Sequence, residues 1–122
     1  MIRVIIAGSR DFYNPGIFNN IMTLYLSDIP DNKLEIISGG CRGADRMGEQ
    51  YAKDWNLKCK VFPANWKKYG KSAGPIRNEK MVKYALQADH GMLIAFPIGE
   101  SRGTRNIIEI ANRYGLEVHV IE

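Results

Sequence analysis

Cysteine, histidine and long apolar runs are all scarce in this sequence. Its two cysteines, Cys41 and Cys59, form no CxxC pair and no zinc-ligand cluster. His90 and His119 are far apart and have no cysteine nearby, so both read as structural or surface residues and no metal is implied. The apolar runs are short and interrupted, which excludes a membrane-spanning helix of about 20 residues. Met1-Ile2-Arg3-Val4 leads straight into a strand-like run, without a signal-peptide pattern. Two thiols and no export signal give the expectation of a cytoplasmic protein with reduced cysteines. Signs of disorder, collagen or a repeat array are absent too.

The composition is that of one globular domain spanning residues 1–122. Apolar residues make up 45% and charged residues 25%, close to globular averages. A chain of this length buries roughly two-thirds of its unfolded surface, enough for one core. The net charge is +4, and its distribution says more than its sum. Lys58, Lys60, Lys67, Lys68, Lys71, Arg77, Lys80 and Lys83 stand in one stretch against Glu79 alone. Two readings are open: attraction of phosphate or single-stranded nucleic acid, or a solvated basic face.

Strand and helix patterns alternate five times. Arg3 to Ala7 is a continuous apolar run, as in a strand buried on both faces. Leu34–Ser38, Leu57–Phe62, Gly91–Phe96 and Glu117–Ile121 read as further strands. The lysines alternating through the third place it nearer a sheet edge. Helices are expected over Gly16–Ser27, with Ile17, Ile21, Leu24 and Tyr25 on the apolar face, and over Ala44–Trp55. Two more are expected over Pro75–Ala88, with proline in the first turn, and over Thr104–Tyr114, closed by Gly115. Residues 63–74 read as a long loop or a short helix. The pattern predicts an α/β fold, a Rossmann-like three-layer αβα sandwich with a mostly parallel five-stranded sheet in the order 3-2-1-4-5. Ligands of such sheets lie beyond the carboxyl ends of the strands, where the order reverses; here that is between the first and fourth strands.

Three loops at that edge carry candidate ligand-binding residues. The first is Gly8-Ser9-Arg10-Asp11: room for close backbone approach, a hydroxyl, and a forked cation for phosphate or carboxylate. Arg10 pairing with Asp11 or another surface acid is the plainer alternative. The second, Ser38-Gly39-Gly40-Cys41-Arg42-Gly43-Ala44-Asp45, opens a helix. Free N–H groups and a positive dipole end there suit a phosphate. Its spacing is neither a Walker A loop nor GxGxxG. Asp45 reads equally as a dipole-favouring residue, a ribose acceptor or an orienter of Arg42. The third loop runs from Phe96 through Pro97, Gly99 and Gly103 to Thr104, which reads as a helix N-cap. A fourth element, Gly74-Pro75-Ile76-Arg77-Asn78, puts Arg77 and Asn78 in a first helical turn, where a cation opposes the dipole unless an anion is bound. Trp66 and Tyr69 lie among Lys67, Lys68 and Lys71, so base stacking and core packing are both open.

Taken together, Gly8 to Phe12, Gly39 to Asp45, Gly74 to Asn78 and Gly99 to Thr104 resemble the YspA-type branch of the SLOG superfamily, in order and over nearly the whole chain. The resemblance implies a Rossmann-like domain for a nucleotide or nucleotide-derived ligand. Relatives in that superfamily include the LOG phosphoribohydrolases and the DNA-processing protein A family. LOG proteins carry a PGGxGTxxE motif with a catalytic glutamate. The matching stretch here keeps Pro97, Gly99, Gly103 and Thr104, but the glutamate position is Ile107, and Glu109 comes two residues later. That catalytic residue is therefore not carried over. Asp11, Asp45 and Glu100 are the remaining carboxylates for glycosidic chemistry.

The expectation is thus binding of a nucleotide-type molecule, ADP-ribose-like in character, by Gly8, Ser9, Arg10, Gly39, Gly40, Arg42, Gly43, Asp45, Arg77, Asn78, Pro97, Gly99, Gly103 and Thr104. No cofactor, metal or membrane is expected, and a homo-oligomer is. Nucleoside 5'-monophosphate hydrolysis and single-stranded nucleic-acid binding are the rival expectations.

Overall fold

The computed structural model describes residues 1–99 and 101–122. Strands β1 (Ile2–Gly8), β2 (Leu34–Ser38), β3 (Lys58–Val61), β4 (His90–Phe96) and β5 (Glu117–Val120) form one sheet in the order β3-β2-β1-β4-β5. All four pairings are parallel, with Ile5 level with Ile37 on one side and Leu93 on the other. Helices α1 (Pro15–Leu26), α2 (Ala44–Asp54), α3 (Trp66–Tyr69), α4 (Ala73–Leu86) and α5 (Arg102–Arg113) connect them. The expected fold class and strand order are both observed.

Alternation along the strands builds two cores. Val4, Ile6, Ile36, Ile94 and Phe96 face one way, onto Phe18 and Met22 of α1 and Ala44 and Ala52 of α2. Ile5, Ala7, Ile37, Leu93 and Ala95 face the other way, onto Met81, Val82 and Ala85 of α4 and Ile107, Ile110 and Ala111 of α5. Covered on both faces, β1 and β4 have almost no polar position, as parallel strands in such sheets read. Edge strand β3 is exposed along its length, in keeping with its lysines. The chain runs from β1 outward through β2 to β3, then crosses back under α4 to β4. No connection therefore roofs the gap between the carboxyl ends of β1 and β4.

Some expected details are corrected. On α1 the core face is Phe18, Met22 and Leu26, while Ile17 is exposed and Leu24 is 68% exposed. The helix carries no charged residue, so two apolar stripes compete. Two features fix its rotation. Asn14 Oδ1 accepts the Ile17 N–H at 3.1 Å, and Phe18 reaches Phe96 at a ring separation of 5.4 Å. Helix α4 starts at Ala73 rather than Pro75, which moves Arg77 and Asn78 into the second turn. A proline within the first turn lacks only an N–H that has no helical partner there, so it does not mark the start. Helix α5 starts at Arg102, with Ser101 as cap residue in place of Thr104. Thr104 is instead buried, its hydroxyl 2.6 Å from that of Ser101. Residues 63–74 contain α3 and a short 3-10 turn over Gly70–Ser72.

The two faces of α1 yield a stability prediction. Met22→Ala, at a fully buried position, should cost about 2–5 kcal/mol. Leu24→Ala should stay within about 0.5 kcal/mol of the parent. Urea melts of the two variants check this, and equal losses would place the core on the wrong face of α1.

Candidate functional site

A cavity of about 700 Å³ opens between the carboxyl ends of β1 and β4. Loop 1 (residues 9–14), loop 2 (residues 39–43), the start of α4 and the start of α5 enclose it. Of the sequence-derived residues it gathers Gly8, Ser9, Arg10, Arg42, Asp45, Arg77, Asn78, Gly103 and Thr104. Gly39, Gly40, Gly43, Pro97 and Gly99 do not line it.

Loop 1 is shaped by Ser9. Its N–H donates to the Phe96 carbonyl at 3.1 Å, and its hydroxyl accepts the Asp11 N–H at 3.1 Å. The hydroxyl thus builds the turn that presents Arg10 and Asp11. Loop 2 is pinned from below by Ser38, whose hydroxyl donates to Glu49 at 2.6 Å and accepts from the Gly40 N–H at 3.0 Å. Gly43 has φ +84°, and a Cβ there would overlap the Ser9 carbonyl oxygen. Its missing side chain lets loop 2 pack directly under loop 1. Gly39 lies against two buried groups: a Cβ would sit 2.8 Å from both Arg77 Nη1 and Asp45 Oδ2. Both glycines shape the cavity from behind its surface.

Arg77 is only 9% exposed, and two of its nitrogens are engaged. Nη1 donates to the Gly39 carbonyl at 2.6 Å, and Nε donates to Asn78 Oδ1 at 2.8 Å. Asn78 in turn donates from Nδ2 to Asn106 Oδ1 at 2.9 Å and to the Gly103 carbonyl at 3.2 Å. This chain of bonds ties β2's exit loop to α4 and α5. Asn78 thereby fixes the Arg77 guanidinium.

Asp45, the second residue of α2, is 5% exposed. Burial raises its pKa from 3.8 to about 6, against the opposing pull of the Cys41 N–H, the Arg77 charge and the N–H groups of Gly8 and Gly39. Arg42 and Asp11 form an exposed ion pair at 3.6 Å across the two loops, an arrangement worth little in water.

Among the described residues the cavity's charge is lopsided. Arg10, Arg42, Lys71, Arg77 and Arg102 line it against Asp11 and Asp45. The first-turn N–H groups of a helix have no intrahelical acceptor. In α5 they belong to Arg102, Gly103 and Thr104, all on the cavity wall, and the Ser101 side chain does not cap them. Trp66 stands at the wall 53% exposed, so the core-packing alternative for it fails. Lys71 joins it there.

Several lining residues were not among the expected ligand contacts. Met81 lies four residues after Arg77, and Asn106 and Ile107 lie three and four after Gly103. Helical spacing from the named residues was the available signal. Ile107, which the sequence resemblance aligned with the LOG glutamate, lines the cavity wall. Glu100 lies outside the described residues. The basic stretch disperses: Lys58 and Lys60 lie on β3, Arg77 is buried, and Lys71 reaches the cavity. His90 and His119 both contact Glu117 on β5, remote from the cavity. Among the described residues no helix is long and apolar enough to cross a membrane.

Fold and cavity together define a Rossmann-like α/β domain with its open site at the strand-order reversal. The profile of the YspA, cpYpsA-related SLOG family matches residues 2–69. The chain belongs to that family. It is also similar to the Gene 61 protein of Mycobacterium phage D29, at 32% identity over 123 residues, covering 97% of this chain and 94% of the phage protein. No solved structure matches it.

The raised pKa of Asp45 has a definite sign for stability. Folding favours the protonated carboxyl, so the stability it adds is full below about pH 4 and is lost as pH rises through about 6. Two pKa units amount to about 3 kcal/mol. Between pH 4 and pH 7 the parent should lose about that much relative to Asp45→Asn in denaturant melts. Carbon-13 NMR of the Asp45 carboxyl should show a midpoint at about 6; a midpoint at the ordinary 3.8 would refute the burial argument.

Proposed function

We propose that this protein binds a nucleotide or nucleotide-derived ligand of ADP-ribose-like chemistry, as a sensing or sequestering module. One observation carries the reading: a cavity of about 700 Å³ at the sheet's reversal point combines a cationic wall, an uncapped helix start and an exposed tryptophan. That volume is in the range of small-molecule sites, about 300–1,000 Å³. Phosphate goes to the N–H groups of Arg102, Gly103 and Thr104, where the dipole of α5 favours an anion. Arg102, Arg10, Arg42 and Lys71 add charge. Trp66 offers a face for the base. Asp45 and Asn106 supply acceptors for hydroxyls of the sugar.

The buried acid supports a second reading, hydrolysis of the N-glycosidic bond of a nucleoside 5'-monophosphate. Such a reaction passes through an oxocarbenium-like state that a nearby carboxylate stabilises. Asp45 has a pKa of about 6 and faces the cavity, so it suits proton transfer near neutral pH.

Two measurements separate the readings. Millimolar ADP or ADP-ribose should raise the melting temperature by several degrees, because a ligand at one hundred times its Kd adds about 2.7 kcal/mol. Arg102→Ala and Trp66→Ala should each weaken binding about tenfold, or about 1.4 kcal/mol. No shift with any phosphorylated nucleoside would sink the binding proposal. For hydrolysis, chromatography of reactions with nucleoside 5'-monophosphates should show free base that disappears in Asp45→Asn. An absence of free base from the parent protein removes that reading.

A further inference from the structure

A second cavity of about 460 Å³ lies on the far side of loop 1, between α1 and α2. Phe12, Phe18, Met47 and Tyr51 give it an aromatic and apolar part, beside the charged Arg46 and Asp54. Phe12 and Phe18 are buried, and Phe18 meets Tyr51 edge-to-face at a ring separation of 6.3 Å. Two residues, Arg10 and Arg42, line both cavities. Loops 1 and 2 therefore form a partition, with the exposed guanidinium groups of Arg10 and Arg42 along it. Arg42 faces only the weak, solvated pair with Asp11 at 3.6 Å.

The distribution of charge against shape sets the chemistry of a ligand filling both spaces. Its diphosphate lies in the first cavity between the start of α5 and the partition, where the guanidinium forks of Arg10 and Arg42 match phosphate oxygens. One lobe extends into the first cavity, past Trp66. The other enters a space whose aromatic walls suit a flat ring, in offset or edge-on contact.

We propose that the second cavity is the subsite for a second ring, so that the protein takes a dinucleoside diphosphate whose diphosphate bridges Arg10 and Arg42. The inference rests on the nucleotide reading above and extends it to a site of its own, walled by Phe12, Phe18, Met47 and Tyr51.

The test compares ADP with diadenosine diphosphate by isothermal titration calorimetry. ADP supplies one nucleoside and both phosphates, so any gain reports the second lobe. The parent should bind diadenosine diphosphate at least about tenfold more tightly than ADP, as expected for one well-buried aromatic contact. Asn19 and Gln50 are exposed residues on the rim of the second cavity. Asn19→Trp and Gln50→Trp narrow it from outside without touching the core. Both should abolish the gain and leave ADP affinity within about twofold. Equal affinities in the parent, or a gain that survives both substitutions, overturns the second subsite while the nucleotide reading stands. Failure of both molecules to bind the parent overturns the two together.

Discussion

Arg77 donates to the Gly39 carbonyl and to Asn78, and Asn78 passes the connection on to Gly103 and Asn106. Three stretches of chain that are remote in sequence are thereby held at fixed distances. A guanidinium that is 9% exposed cannot be left unpaired without a large desolvation cost. The bonds therefore act as a geometric constraint: loop 2, α4 and α5 must keep their spacing or strand a buried charge. Gly39 is part of the same constraint, because a side chain there would occupy the space of Arg77 and Asp45. The cavity is what remains open once those contacts are made.

That arrangement divides the polar residues into two sets. Ser9, Arg77, Asn78 and Thr104 are buried and hydrogen-bond to the protein itself. Arg10, Arg42, Lys71 and Arg102 lie on the open side of the cavity and retain donors for an anion. The first set ties down the loops and helix starts that carry the second, which lowers the ordering cost of binding. Asp45 stands between the sets. It faces the cavity, yet it is held by the Cys41 N–H at 3.4 Å and drawn to Arg77.

The strand order was legible because β1 and β4 are apolar at nearly every position and β3 alternates with lysine, which separates central from edge strands. The site's location followed from topology alone, since the reversal point depends only on that order. Other features were hidden for identifiable reasons. Helix α1 has no charge to mark its outer face, so spacing could not choose between stripes one residue apart. Pro75 and Thr104 are strong helix-start signals, but both sit at the third residue of their helices. Moving the start of α4 back by two residues turned Arg77 from an exposed first-turn cation into a buried brace. The glycines of loop 2 were recognisable as necessary. A missing side chain, however, does not say whether a ligand or another part of the chain fills the space. At Gly39 and Gly43 the chain does. Trp66 was open between core and cavity, and only packing of the short α3 decides it.

Ile107 bears on what chemistry the cavity supports. It is 1% exposed and sits on the wall, so that part of the cavity is hydrocarbon and supplies no carboxylate. Among the described lining residues, Asp11 and Asp45 are the carboxylates. Asp11 is exposed and paired with Arg42. Asp45 alone has the environment of a proton-transfer group. An anion bound on the cations nearby would raise its pKa further, since like charges disfavour ionisation. Binding and protonation of Asp45 are therefore coupled whether or not a bond is broken. A site that only held its ligand would gain from that coupling a weak preference for acid. A site that cleaved it would gain an acid already loaded when substrate is in place.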